Sequence, residues 1–331
     1  MPLSISSSDQ PLVESRDHDF FPPAGDPAEM RRVRLATVTL IALLSLLMVI
    51  VELGARYLYP KFSRIERRIA SDKKDVKSLG DESRNTTPIV LLIGNSLLLH
   101  ALDYPKIQND LTPTARPVRY VIENTEYLDW YYGLRRLFAE GIRPSMVVLC
   151  LNLGQTLSHG VLDESAWHLF GARDLLAISR DAGMDTTQTS GLVFAHWSAF
   201  YAGRGGIRNY ILNVTDPSYA AELHRLARHP PVLPSEEKML AQSRERLRAL
   251  DQLCRQNGTK FVLLIPPAFG SRNDLLLQAG TLEHVDVDAP IASGSLGPEF
   301  FRNDRFHLNE KGATVFTDAI VRDLRARLNS Q

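Results

Sequence analysis

Two short stretches, far apart in the chain, carry the residue types of nucleophilic acyl chemistry. The first is PIVLLIGNSLLLHALD over 88–103: an apolar run, a Gly–Asn–Ser turn and a second apolar run. Ile89–Ile93 reads as a buried strand bounded by Pro88 and Gly94, and Ser96 falls where a strand gives way to a helix. A hydroxyl at that place is held out at a sheet edge, near free backbone N–H groups that receive negative charge. The same position suits a helix cap, and this stretch alone favours the cap. The second is NDRFHLNEKG over 303–312, which places Asp304 three positions before His307. At that spacing a carboxylate can fix an imidazole tautomer and stabilise the imidazolium, while the other ring nitrogen takes a hydroxyl proton. Taken alone, such a pair is a turn aspartate and a histidine near a helix start.

A sheet has to bring these residues together. Val118–Ile122, Met146–Leu151 and Phe261–Ile265 read as further strands, with a weaker fifth near His284–Val287. Tyr127–Gly141, Lys238–Gln256 and Asn309–Leu328 read as helices, the last with Asn309 as N-cap. Strands alternating with helices predict a three-layer α/β/α fold with a mostly parallel, five-stranded, doubly wound sheet of the flavodoxin-like kind. Ligands bind such sheets beyond the carboxyl ends of the strands, at the switch in strand order. Ser96 follows the first strand, and Asp304 and His307 follow the last, so both motifs fall on one rim. That joint placement favours a nucleophile over a cap.

The remaining segments are organised around this domain, expected over 88–331. Residues 155–236 are too long for an ordinary connection. Trp167, Phe170, Phe194, Trp197, Phe200 and Tyr201 point to short helices forming a lid or cap, with core packing as the default explanation of the aromatics. Residues 1–33, rich in Ser, Pro and Asp, read as a disordered tail. Residues 34–54 read as a transmembrane signal-anchor, since the uncharged run Leu35–Val51 covers roughly 26 Å as a helix. The rival, a cleaved signal peptide, fits poorly with the long polar leader and the length of the apolar run. Arg31, Arg32 and Arg34 precede the run and Arg56, Lys61, Arg64, Arg67 and Arg68 follow it, so charge leaves the orientation undecided. Residues 55–87 read as a polar stalk, helical over Ser63–Ala70.

Composition removes several function classes. Lys plus Arg equals Asp plus Glu, at 38 each, which argues against a nucleic-acid partner. No CxxC, HExxH or Cys/His cluster argues for a metal, and no glycine-rich phosphate loop argues for a nucleotide, so no cofactor is expected. Cys150 and Cys254 read as buried thiols rather than a disulfide.

IGNS at 93–96 and DRFHLNEKGATVF at 304–316 resemble the first and last blocks of the SGNH (GDSL-like) hydrolases and acyltransferases. The resemblance spans roughly 88–154 and 238–328. It implies Ser96 as nucleophile, His307 as base and then acid, Asp304 as the residue that orients His307, and an acyl-ester or carbohydrate substrate. Three places depart from the family pattern. Asn95 stands where Asp is commonest, and IENTEYLDW over 122–130 stands where the family supplies an oxyanion-hole glycine. LNLGQ over 151–155 stands where Gly-x-Asn-Asp is usual, which puts Gly154 at the asparagine position. The oxyanion candidates are therefore the backbone near Ser96, Asn124 or Thr125, with Asn152, Gly154 and, as a substitute, Gln155. Asn95 and His100 are candidates for the pocket.

An anchor, a stalk and such a domain are similar to bacterial proteins that acylate cell-surface polysaccharides, as in alginate O-acetylation. That likeness implies O-acetyl transfer to an envelope or exported glycan, a membrane-bound O-acyltransferase as partner, and a domain outside the cytoplasm at the cell membrane. Water as acceptor would make an esterase instead; the sequence leaves both open. The reading from another class is a non-catalytic module that keeps the fold and binds glycan or a membrane partner, with Asn95 and the altered oxyanion blocks as its evidence.

Overall fold

The computed structural model describes residues 27–81, 87–216, 234–267 and 273–329. Of the tail expected over 1–33, residues 1–26 lie outside the described residues, whereas 27–33 are helical and open the helix that continues into the apolar run. Five parallel strands form one sheet: β1 Ile89–Gly94, β2 Arg116–Val121, β3 Met146–Cys150, β4 Lys260–Leu264 and β5 Val287–Asp288. Their order is β2-β1-β3-β4-β5. The chain leaves β1 toward one edge, then crosses back to β3, so the switch point lies between β1 and β3. This is the expected α/β arrangement.

The helices before the insertion are α1 Pro27–Phe62, α2 Arg64–Asp81, α3 Ser96–Ala101, α4 Tyr104–Leu111 and α5 Tyr127–Ala139. The insertion carries α6 Leu153–Leu157, α7 Ala166–Leu169, α8 Leu175–Asp181, α9 Thr186–Trp197 and α10 Ala199–Thr215. After it come α11 Glu236–Gln256, α12 Asp274–Glu283 and α13 Glu310–Asn329. Alternate strand residues feed two cores, as a sheet covered on both faces requires. Leu91, Ile93, Val147, Leu149 and Leu263 face the side of α2, α5, α11 and α12. Val90, Leu92, Val148, Cys150 and Leu264 face the side of α3, α4 and α13. Cys150 and Cys254 are free, buried thiols.

The chain divides into two units, Met1–Val51 and Glu52–Gln331, with the boundary inside α1. By length and composition, Pro27–Tyr59 is long and apolar enough to cross a membrane. In the second unit, the stretch expected as a stalk builds part of the core. Helix α2 lies on β2, with Ile69, Val76 and Leu79 buried in the same cluster as Tyr120. Its buried Asp72 pairs with Arg119 of β2 at 3.0 Å, and its buried Glu66 meets His168 Nε2 at 3.0 Å. These carboxylates look solvent-facing in the sequence because their partners lie far along the chain.

Two other expectations are corrected. The fifth strand is Val287–Asp288, not His284–Val287: His284 takes φ 54 as the left-handed C-cap of α12, which delays the extended chain. Within the insertion, Phe170 is core, packed in the cluster that holds Trp130 and Ile178. Phe194, Trp197 and Phe200 are exposed, so core packing does not account for them.

Candidate active site

Gly94 ends β1 at the switch point with φ 156. A Cβ there would lie 2.9 Å from the Cys150 carbonyl oxygen, so only glycine lets β1 and β3 close at this turn. Asn95 follows as the N-cap of α3, its Oδ1 accepting from the Leu97 N–H at 3.0 Å. Its Nδ2 donates to the Thr125 carbonyl at 2.8 Å, and the residue is fully buried. Expected at the pocket, Asn95 therefore lies beneath it. An aspartate in its place would set a carboxylate against that carbonyl, with no proton to share unless it were neutral. Ser96 is the first residue of α3, where a backbone N–H has no intrahelical acceptor.

The base arrives on a hairpin just before α13. Phe301 and Leu308 form an antiparallel bridge, and the Arg302 N–H donates to the His307 carbonyl at 2.8 Å. Asp304 sits in the turn, where its Oδ1 accepts from the Phe306 and His307 N–H groups at 2.8 and 2.9 Å. Its Oδ2 faces His307 Nδ1 at 2.8 Å, and His307 Nε2 lies 3.0 Å from Ser96 Oγ. An ionised carboxylate only accepts, so Nδ1 carries the ring proton and Nε2 accepts from the Ser96 hydroxyl. Partial desolvation alone would raise the Asp304 pKa. The bonds from the His307 N–H, the His307 ring and the Phe306 N–H outweigh it and hold the carboxyl down at about 2.

Asn309 and Gly312 fix this hairpin to the helix. Asn309 Oδ1 accepts from the Gly312 N–H at 3.1 Å, capping α13, while its Nδ2 donates to the Glu299 and Phe301 carbonyls at 2.7 and 3.1 Å. A Cβ on Gly312 would fall 2.3 Å from the Phe300 carbonyl oxygen, so a side chain there would push the hairpin away. His100, one turn after Ser96, stands edge-to-face on His307 with ring centroids 5.0 Å apart. Burial, then the nearby Arg302 and His307, hold its pKa below the usual histidine value, favouring a neutral ring.

Across the crevice are the exits of β2 and β3. Gly94 is in register with both Val121 and Cys150, so the turn that carries Ser96 and the segments after β2 and β3 leave the sheet at the same rim. Asn152 caps α6: its Oδ1 accepts from the Gln155 N–H at 2.9 Å, and its N–H donates to Gln155 Oε1 at 3.1 Å. Gln155 is thus committed to the cap. Among the described residues the Asn152 Nδ2 donates to nothing. Gly154 is exposed in the first turn of α6, and Asn124 is exposed in the loop after β2 with φ 60. Thr125 is fully buried; its hydroxyl donates to the Ile122 carbonyl at 2.6 Å and accepts from Trp130 Nε1 at 2.9 Å. Its side chain serves the loop, and its carbonyl serves Asn95.

Two contributors have no local sequence signal. Arg68 of α2 donates to the Val121 carbonyl at 2.6 Å and pairs with Glu123, bracing the β2 exit from outside the resembling region. Buried Asn273 accepts from the Leu153 N–H at 3.2 Å, fixing the start of α6. Among the described residues, no group of three or more His, Cys, Asp or Glu is arranged to hold a metal ion.

No protein-family model matches the chain, and no curated protein matches it. Solved structures do resemble its trace. TesA is 14% identical, with 70% of this chain and 95% of that one covered at a TM-score of 0.33. The protein YxiM of Bacillus subtilis is 13% identical, with 73% and 57% covered at 0.38. A variant of Axe2, an acetyl xylan esterase from Geobacillus stearothermophilus, is 11% identical, with 71% and 93% covered at 0.34. Likeness at that level says nothing of reaction or substrate, which rest on the site itself.

Proposed function

We propose that the chain is a serine acyl-ester enzyme, held to a membrane by its N-terminal apolar helix. The observation that carries this reading is the unbroken hydrogen-bond chain from Asp304 through His307 to Ser96 at the switch point. Ser96 Oγ attacks the ester carbonyl carbon as His307 Nε2 takes the hydroxyl proton, and the carbonyl electron pair moves onto oxygen. Collapse expels the alkoxide, which leaves with the proton from His307, and acyl-Ser96 remains. An acceptor hydroxyl then gives its proton to His307 and attacks the acyl carbon, and Ser96 departs with that proton. Asp304 stays ionised and keeps the imidazole in the productive tautomer.

The Ser96 N–H and the Asn152 Nδ2 are the donors assigned to the oxyanion. One such donor is worth roughly 3 kcal/mol of barrier. Water as acceptor gives hydrolysis and a sugar hydroxyl gives O-acyl transfer. The SGNH-like motifs beside an apolar helix favour acetyl transfer to an envelope or exported polysaccharide, with a membrane-bound O-acyltransferase as partner and the domain outside the cytoplasm. Ser96 is half-buried, and the tip of the hairpin that carries its base, Asp304–Phe306, is exposed.

Purified full-length protein should hydrolyse aryl acetates, and Ser96→Ala should not. Cells that carry Ser96→Ala should lose acetyl esters from their surface glycan, and a C-terminal reporter should be active outside the cytoplasm. Absent turnover together with unchanged glycan acetylation would leave a binding module for glycan or a membrane partner.

A further inference from the structure

The insertion presents an aromatic corner to solvent. Phe194 and Trp197 of α9 and Phe200 of α10 are exposed, Trp197 at 62%. Ile211 and Val214 of α10 are exposed as well, and at about 100° per residue positions 200, 211 and 214 lie within about 60° of one another. Charged Arg204 lies between them on that face, so the contiguous apolar patch is the corner itself, of the kind that marks an interaction surface.

The same corner is fastened to one residue of α1. Glu52, which follows the apolar run Leu35–Val51, accepts from Ser198 Oγ at 2.7 Å, from the Ala199 N–H at 2.9 Å and from the Phe200 N–H at 3.2 Å. Arg56 donates to the Trp197 carbonyl at 2.9 Å, and a Cβ on Gly203 would lie 3.3 Å from the Tyr59 ring. The backbone beside Trp197 and Phe200 is therefore bonded to the residue that immediately follows the apolar run.

We propose that the α9–α10 corner docks on a lipid bilayer, with Phe194, Trp197 and Phe200 seated at the headgroup–acyl boundary. This inference rests on the membrane-anchor reading above. If Leu35–Val51 fills a bilayer core, Glu52 stands at its edge, and whatever Glu52 holds stands there too. The chemistry suits that depth, because tryptophan and other aromatic rings collect where one end is apolar and the other wet. Exposed Tyr57 lies about 7.5 Å farther along α1, with Lys61 Nζ 3.4 Å from its ring centroid, and Lys61 and Arg64 offer cations to anionic headgroups. The domain is then held against the surface rather than swinging on a tether.

The chain has three tryptophans, of which Trp130 is buried and Trp167 half-buried, so Trp197 reports on this corner. Full-length protein is reconstituted into phosphatidylcholine–phosphatidylglycerol vesicles whose acyl chains are brominated near the headgroups. Bromine should quench part of the tryptophan emission relative to unbrominated vesicles, and Trp197→Phe should lose that quenched part. If the chain floats with vesicles and resists alkaline extraction, yet quenching is the same in Trp197→Phe, lipid docking is overturned and a protein partner becomes the occupant. If alkaline extraction strips the chain from vesicles, the anchor reading fails and the docking proposal falls with it.

Discussion

The two sides of the crevice are built differently. On one side, Ser96, Asp304 and His307 lie within a turn or a hairpin of each other's supports, and each polar atom of the relay has a partner at 2.8–3.0 Å. On the other, the exits of β2 and β3 offer Asn124, Thr125 and Asn152, of which Thr125 is spent on structure and Asn152 is half spent on a cap. The relay side is made of side chains whose identity fixes the chemistry. The donor side is made largely of backbone, whose chemistry is the same whatever the residue. The difference teaches that proton transfer here is specified by local motifs, whereas charge stabilisation is specified by how loops from distant strands are held.

Variants can break each side separately. The largest effect among them should come from the relay. Asp304→Asn removes the group that fixes the His307 tautomer and should lower kcat by about 10⁴-fold with the fold intact, measured on an aryl acetate. Because its hydrogen bonds hold it at about 2, Asp304 is charged throughout the range of about pH 5 to 8 where imidazoles titrate, so the acid limb of wild-type activity should show one proton, not two. A two-proton limb would contradict the assignment. On the donor side, Asn152→Ala should cost about 10²- to 10³-fold in kcat with KM little changed. An effect below about threefold would remove Asn152 from the oxyanion site, leaving its cap as its role.

The link between the two sides is the Asn95–Thr125 bond. Asn95→Asp places a buried acceptor against a carbonyl and should destabilise the protein by about 1–3 kcal/mol at neutral pH in denaturant unfolding. The sign with pH is definite. Burial raises the folded-state pKa of the new carboxyl above its unfolded value, so stability should recover as pH falls and the neutral acid donates to Thr125. A pH-independent deficit would contradict that picture. The smallest effect belongs to His100: Phe in its place keeps an aromatic contact to His307 and should change kcat/KM by less than about tenfold.

This contrast also explains what the sequence revealed. The strands were legible because IVLLI, MVVLC and FVLLI are continuous apolar runs that only a two-faced sheet can bury. Ser96, Asp304 and His307 were legible because short spacings place them in turns, and the α/β alternation carries both turns to one rim. Asn95 was read as pocket-facing because nothing local indicates that its amide is consumed by Thr125, thirty residues on. Helix α2 read as a stalk because its buried Glu66 and Asp72 find His168 and Arg119 only in three dimensions. Phe194, Trp197 and Phe200 read as core by composition, whereas the structure leaves them bare beside the residues that hold Glu52. For Asn95 and α2 the missing information was a long-range partner.

The central claim is that Ser96 is a nucleophile activated by His307, and covalent trapping tests it most directly. The intact protein is treated with a fluorophosphonate, digested, and the modified peptide identified by mass spectrometry. The account predicts one phosphonyl adduct, on Ser96, lost in Ser96→Ala and strongly slowed in His307→Ala. An unmodified Ser96 in folded wild-type protein, or labelling that persists in Ser96→Ala, would contradict it.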